Sequence, residues 1–486
     1  MKSVLKKFVN KYKTASIEVK ASLSYTICSI LQKSLSLITL PLFTRLLTTE
    51  QYGQTTVYNS WNSFLTLFIT LYLAYGSFST AMIKFENERG KYISAINGLC
   101  TLLASIFLLV YIPLQKYFNY VFEMPTIMIL VMVMSIVCSN SLECWLGKER
   151  FEYKYKSVIA VTLIMTILTP VLSFVFVMLS EEKGYARIVG SALVKISFGL
   201  VCYLSFFVKE RTLYDKTFWK YALSFNIPLI PYYLSQSIFN QSDRIMISHI
   251  EGTDKAAIYG VAYSLATLLT FVLNSVNNSY VPWFYKRIKN GDRTKNKSVS
   301  AGIAIIMAVL LLGVIALTPE IILILASARY MEAIWVVPPV AMSLLFLFYT
   351  QLFINVEFYF EEKKCLVYGT ILSAALNIVL NVILIPIFGF IAAAYTTLLS
   401  YIVFVLMHYK MYKNILDKNN LTDDMFDYKM LIIIAVIFMG IGFLLMFLYK
   451  TTIIRYVVII CALIIVFFNR NKVLEIYKRI KMGDAK

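Results

Sequence analysis

Apolar runs of about 20 residues recur along nearly the whole chain, each long enough to cross roughly 30 Å of hydrocarbon as a helix. In lipid every backbone amide must be paired within the protein, so only helices or closed barrels span a membrane. Barrel strands would be about ten residues long and strictly alternating. These runs are longer and do not alternate, so the chain reads as an all-α polytopic membrane protein. Composition agrees: 59% of the 486 residues are hydrophobic, only 15% are charged, and mean hydropathy is +0.71. A soluble chain would carry roughly a quarter charged residues.

Hydropathy predicts about fourteen spans. They lie near 21–44, 54–77, 93–112, 126–146, 157–179, 186–208, 219–242, 257–281, 301–326, 334–356, 366–386, 390–409, 429–449 and 452–469. Gly389 and Lys450 divide the last two pairs. The first span follows a basic segment (Lys2, Lys6, Lys7, Lys11, Lys13, Lys20) without a cleavage site and is read as a retained helix rather than a signal peptide.

The net charge of +19 is unevenly placed. Lys84, Arg89 and Lys91, then Lys148, Arg150, Lys154 and Lys156, then Lys209, Arg211, Lys216 and Lys220 fall in alternate loops. Lys286, Arg287, Lys289, Arg293, Lys295 and Lys297 continue the series, with Lys363, Lys364, Lys410, Lys413, Lys418 and Lys429 after them. The opposite loops and helix ends hold few cations: Arg45, Lys116, Lys183, Arg187, Arg244, Lys255, Arg329, Lys450 and Arg455. By the positive-inside rule both termini face the cytoplasm and the helix number is even. The same placement argues against nucleic acid as partner, because the basic loops are short and carry no recognition fold.

No cofactor or metal site is expected. The seven cysteines (28, 100, 138, 144, 202, 365, 461) lie in or beside apolar segments without a CxxC pair, and the histidines are His249 and His408 alone. There is no Walker A loop, HExxH or GxSxG, and no extramembrane stretch large enough for a catalytic domain. The chain therefore reads as a transporter, not an enzyme, driven by an ion gradient or by the gradient of its own substrate.

The sequence also repeats. RLLTTEQYGQTTVYNSWNSFLTLF after the first span resembles RIMISHIEGTDKAAIYGVAYSLATLLTF after the seventh, although the second Arg-to-Tyr loop is eight residues longer. FEYKYKSV at Phe151 echoes FEEKKCLV at Phe360, and GYARIVGSALV at Gly184 echoes GFIAAAYTTLL at Gly389. Near-constant offsets of 207, 209 and 205 residues imply two six-helix lobes, 1–212 and 213–412, followed by two further helices and a basic cytoplasmic tail over 413–486. Six is even, so the repeat is parallel, about an axis along the membrane normal.

Ionisable residues inside spans cost several kcal/mol on some scales and so become functional candidates. Lys33 and Lys195 lie midway in the first and sixth spans. Lys33 shares one helical face with Ser22, Thr26, Ser29 and Ser36. The second span aligns Thr55, Asn59, Asn62 and Thr66; the seventh, Tyr233, Gln236, Asn240 and Asp243; the eighth, Thr267, Thr270, Asn274 and Asn277 or Asn278. Such stripes either line a hydrated cavity or glue helices together; their occurrence on all four repeat-equivalent helices favours the cavity. Arg45 and Arg244 fit phosphate binding or snorkelling to headgroups. Asp243, Glu143 and Glu357 are candidates for ion coupling, against a local ion pair for the first and interfacial placement for the other two. Pro41, Pro228 and Pro231 would bend the first and seventh helices and suit gating.

LITLPLFTRLLTTEQYGQTTVYNS, its echo NQSDRIMISHIEGTDKAAIYGVAYS, and PIFGFIAAAYTTLLSY together resemble Wzx-type oligosaccharide flippases. These form the polysaccharide-exporter branch of the multidrug/oligosaccharidyl-lipid/polysaccharide (MOP) superfamily, and the resemblance extends over essentially the whole chain. It implies a MATE-like fold in a bacterial cytoplasmic membrane, working by alternating access. The implied cargo is an undecaprenyl-pyrophosphate-linked repeat unit, as for O-antigen or capsule, crossing from the cytoplasmic to the outer leaflet. A cationic cavity would receive the headgroup, with Lys33, Lys195, Arg45 and Arg244 as candidates beside Asn59, Asn62, Gln236, Asn240 and Asn274. Implied partners are the lipid-linked oligosaccharide, the bilayer, and a polysaccharide polymerase and glycosyltransferases of the same pathway. The alternatives are a lipid II-type flippase, a multidrug/cation antiporter, which would want a deep carboxylate, and a membrane glycan polymerase, which would need a large outer loop.

Overall fold

The computed structural model describes residues 16–290, 294–421 and 424–468. The basic N-terminal tail, Arg293 and the basic C-terminal tail lie outside them, as do the side chains of Thr267 and Cys365. By contacts the chain forms two compact units, Met1–Ile245 and Met246–Lys486.

In the first unit the helices are α1 (Ile17–Leu46), α2 (Thr49–Thr70), α3 (Phe78–Lys84), α4 (Arg89–Tyr111) and α5 (Gln115–Phe122). They continue with α6 (Thr126–Phe151), α7 (Tyr155–Leu179), α8 (Lys183–Glu210), α9 (Lys216–Asn226) and the first part of α10 (Ile230–Glu251). Helix α2 starts on a capping box: Thr48 accepts from the Gln51 amide while the Gln51 side chain accepts from the Thr48 amide. Helix α8 is the hub and packs against α2, α4, α6 and α7, while α1 lies on α7. The approach is close because glycines face backbone: a Cβ on Gly199 would sit 2.2 Å from the Cys138 carbonyl oxygen, and one on Gly190 2.6 Å from the Ser173 Cα. Small residues at such crossings let membrane helices gain van der Waals contact. Asn97 donates to Ser141 at 3.0 Å, adding a buried polar tie between α4 and α6.

Helix α9 packs on α4, where Trp219 donates to the Ala95 carbonyl at 2.8 Å, and Asn226 donates to Ser77 at 3.1 Å. Residues 213–245 therefore cluster with the first unit, so the compact units divide at Ile245, whereas the sequence repeat divides at 212/213.

In the second unit the helices are α11 (Thr253–Lys289), α12 (Thr294–Ala316), α13 (Thr318–Leu325), α14 (Val337–Tyr359) and α15 (Lys363–Phe388). They end with α16 (Ala392–Lys418), α17 (Tyr428–Phe447) and α18 (Thr452–Phe468). Helix α14 is the axis of this unit and packs against α11, α12, α16 and α17. Gly389 separates α15 from α16 with φ +80°, a left-handed conformation that only glycine adopts freely. The last two helices are fastened by Tyr349 to the Leu431 carbonyl, Tyr449 to the Ile315 carbonyl, and a buried Arg455 paired with Glu320.

Among the described residues eleven helices are long and apolar enough to cross a membrane. The other three expected spans correspond to α2, to the α9–α10 segment and to α18. Two of these carry the polar rows noted above, and the third is a 17-residue helix. Large apolar side chains such as Ile432, Val436, Ile437 and Leu444 of α17 point outward, as a lipid-facing surface requires.

Candidate functional site: a polar cavity in the first unit

Polar residues of four helices, α1, α2, α7 and α8, converge on one cavity. On α8, Arg187, Ser191 and Lys195 recur every four residues and so lie on one face. Helix α1 adds Gln32, Ser36, Thr39 and Phe43, α2 adds Thr55 and Asn59, and α7 adds Thr166, Thr169, Pro170 and Ser173. Together they line a cavity of about 360 Å³. Its donors are two cations, two amides and a set of hydroxyls.

Arg187 is held by aromatic faces. Its guanidinium carbon stands 4.3 Å from the Phe43 ring centroid and 4.7 Å from that of Tyr52. One of its terminal nitrogens is buried and has no hydrogen-bond partner among the described residues. A planar, permanently charged fork presented this way is suited to a phosphate or carboxylate oxygen. Lys195, further along the same face, is exposed and lies within electrostatic reach of Glu143. Glu143 also feels Arg150 and is hydrogen-bonded to Tyr75.

Of the sequence candidates, Lys195 and Asn59 line this cavity. Asn62 and Lys33 are half-buried and lie outside its lining, although Lys33 is next to Gln32. Arg45 is exposed at the end of α1. Arg244 is engaged by the Gln241 side chain, which also accepts from Ser60 at 3.2 Å. Asn240 donates to the Gln236 carbonyl at 2.8 Å, and the Gln236 side chain is hydrogen-bonded to Tyr232. Asp243 is buried. Pro41 lies within an unbroken α1, whereas Pro228 sits in a 3-10 turn, Ile227–Leu229, that separates α9 from α10; Pro231 is the second residue of α10.

In the second unit Asn274 accepts from Gln351 at 3.2 Å and Asn277 from Asn355 at 2.9 Å. Glu357 is fully buried and pairs with His408, so it is not the exposed carboxylate that its place near a helix end suggested. Thr166, Thr169, Ser173, Ser191 and Arg187 were not singled out as cavity residues from sequence; the four-residue spacing on α8 was the available signal. Among the described residues no cluster of three or more potential metal ligands occurs. Outside the spans, the turn between α6 and α7 is charged. Burial raises the Glu152 carboxyl, but the hydrogen bond from Lys154 and the charges of Lys148, Lys154 and Arg89 outweigh it, leaving Glu152 below the usual carboxylate range.

Residues 19–288, more than half of the chain, match the model of the polysaccharide biosynthesis protein family. The chain belongs to that family. The fold is that of MOP-superfamily transporters. The lipid II flippase MurJ, in an inward closed conformation, aligns with TM-score 0.70 and 14% identity over 92% of this chain and 99% of its own. An inward-facing multidrug resistance MATE family transporter of the MOP superfamily aligns with TM-score 0.62 and 12% identity, covering 83% of this chain and all of its own. Among curated proteins, Lsg locus putative protein 1 of Haemophilus influenzae is 32% identical over 69 residues, 14% of this chain and 17% of that protein. An uncharacterized membrane protein of Methanocaldococcus jannaschii is 23% identical over 205 residues, 40% of each. The matches thus span well under half the length of these curated relatives.

Proposed function

We propose that this protein is a flippase that carries a lipid-linked oligosaccharide from the cytoplasmic to the outer leaflet of a bacterial cytoplasmic membrane. The observation that carries this reading is the cavity of the first unit, where Arg187 and Lys195 stand among amides and hydroxyls. A pyrophosphate bridge asks for cations, and sugar hydroxyls ask for donors and acceptors of this kind. An undecaprenyl tail would stay in lipid while the headgroup crosses by alternating access of the two lobes (1–212 and 213–412), with both termini on the cytoplasmic side. Family membership supports polysaccharide synthesis as the setting, which makes a polymerase and glycosyltransferases natural partners in the pathway. The work is transport rather than catalysis. A drug/cation antiporter is less well supported, because this cavity is lined by cations rather than by a carboxylate.

The test is flipping of a lipid-pyrophosphate-linked glycan by the purified chain in proteoliposomes, beside the variants Arg187→Ala, Lys195→Ala and Arg187→Lys. Each loss of charge should lower the rate about tenfold or more, the scale of one charge-assisted contact. Arg187→Lys should rescue little, because a lysine keeps the charge without the stacked fork. Normal flipping by a correctly inserted Arg187→Ala/Lys195→Ala double variant would overturn the assignment. Parallel vesicles with lipid II tell the repeat-unit reading from a lipid II one.

A further inference from the structure

The second unit encloses a carboxylate and an imidazole. Glu357 of α14 and His408 of α16 both have fully buried side chains, and Glu357 Oε1 lies 2.6 Å from His408 Nδ1. Their remaining polar atoms, Glu357 Oε2 and His408 Nε2, are buried and have no hydrogen-bond partner among the described residues. The Phe404 ring stands edge-on to the imidazole with centroids 4.6 Å apart. Gly369 of α15 also stands against the ring: a Cβ there would lie 2.6 Å from Nε2. The imidazole is thus boxed in by an aromatic ring and a side-chain-free helix surface, with one nitrogen on the carboxylate and the other bare.

Neighbouring charges do not complete the pair. On α16, Lys413 is bound to Asp424 and Lys418 to Glu362, while the Tyr412 hydroxyl is bonded to the Met425 amide. On α15, Tyr368 is exposed, and the side chains of Lys363 and Lys364 lie outside the described residues. On α11, Tyr285 packs on Tyr359 and Arg287 on Trp283, and on α17 Tyr428 faces Tyr409 and Lys413. Among the described groups, His408 is the one whose charge reaches Glu357.

We propose that Glu357–His408 is a proton-binding site, and that exchange of its proton is coupled to the transport cycle. With Nδ1–H donating to an ionised Glu357, the pair carries net charge −1 and His408 Nε2 is a free lone pair. One proton delivered from water to Nε2 makes the imidazolium and brings the pair to zero, with no heavy-atom bond made or broken and the Nδ1–H···Oε1 contact kept. A buried net charge is costly, so the two protonation states favour different degrees of enclosure. A change of exposure during the cycle therefore takes up or releases the proton, and the two groups titrate as a unit. Proton binding stands on this geometry alone; coupling rests on the transport reading.

Histidine content makes the test direct, because the chain holds only His249 and His408. Full-length His249→Gln protein, labelled with 15N-histidine in lipid bilayers, presents a single imidazole to NMR. Titrated between about pH 5 and pH 9, that imidazole should change protonation state, and Glu357→Gln should move the transition by about one pH unit or more. An imidazole fixed in one state throughout, or one indifferent to Glu357→Gln, overturns the site. Where Glu357→Gln does not fold, the single-imidazole titration alone decides. In proteoliposomes, an imposed pH gradient should change the flipping rate several-fold, and His408→Gln should abolish that response while leaving a basal rate. A gradient-indifferent wild type overturns the coupling. If the imidazole titrates but no glycan-lipid is moved, the cargo reading fails and the proton site stands.

Discussion

At the scale of single residues, the cavity depends on what is missing as much as on what is present. Gly199 and Gly190 bring α8 against the backbones of α6 and α7, and α8 carries both cations of the cavity wall. A methyl group on Gly199 would meet the Cys138 carbonyl oxygen at 2.2 Å and its carbon at 2.4 Å, and backbone atoms cannot rotate away. Gly199→Ala should therefore force α6 and α8 apart at a cost of about 1–3 kcal/mol, the usual range for overpacking. Thermal unfolding of the purified protein should show it as a Tm lowered by several degrees. Gly313 of α12, where an added methyl group would find nothing within 4 Å, is the matched control and should be neutral or slightly stabilised as alanine. Equal effects at the two glycines would refute the close-packing account.

At the scale of elements, two of the three expected spans that fall outside the eleven apolar helices are the ones that carry polar rows. The polar positions of α2, among them Asn59 and Thr55, keep it below the apolarity of an ordinary span, yet they line the cavity. The seventh predicted span is divided by the 3-10 turn at Ile227–Leu229, and Pro228 and Pro231 are its cause, since neither can donate the backbone hydrogen bond that a continuous helix needs. The interruption of the seventh span was legible in the sequence because the effect of Pro228 and Pro231 is local, whereas Pro41 lies within an unbroken α1. The pairing of Glu357 with His408 was not, because the two residues lie on helices whose register is set by packing over the whole unit. Arg187 was hidden for a similar reason: by sequence it counts only among the few cations of the outer loops and helix ends, and the aromatic faces of Phe43 and Tyr52 set it against the cavity. If the turn between α9 and α10 serves as a hinge, Pro228→Ala/Pro231→Ala should fuse the two helices. The protein should unfold at the same or a higher temperature while glycan-lipid flipping slows several-fold. A fused helix that transports at the wild-type rate would leave the prolines a purely structural role.

At the scale of the whole molecule, the charge asymmetry makes a claim about orientation that follows from basic residues alone. The end of α6 and the turn after it carry Lys148, Arg150 and Lys154 with Glu149 and Glu152 among them, while the turn after α7 carries Glu181 and Glu182, and Lys183 opens α8. The positive-inside rule counts the cations and discounts the acids, so it predicts a cytoplasmic first turn and an outer second one. Helix α7 spans Tyr155–Leu179 without an acidic or basic residue beyond Lys156 and is long and apolar enough to cross a membrane, so the expectation is that the two turns lie on opposite faces of the bilayer. Tyr153 and Glu181 are both exposed, and four of the native cysteines, at 28, 100, 138 and 144, are buried. In a variant lacking the native cysteines, Glu181→Cys should react with a membrane-impermeant maleimide in intact cells. Tyr153→Cys should react only once the membrane is opened. The reverse pattern would invert the chain, and with it the direction in which the cavity of the first unit receives its load; labelling of both positions in intact cells would remove α7 from the membrane altogether.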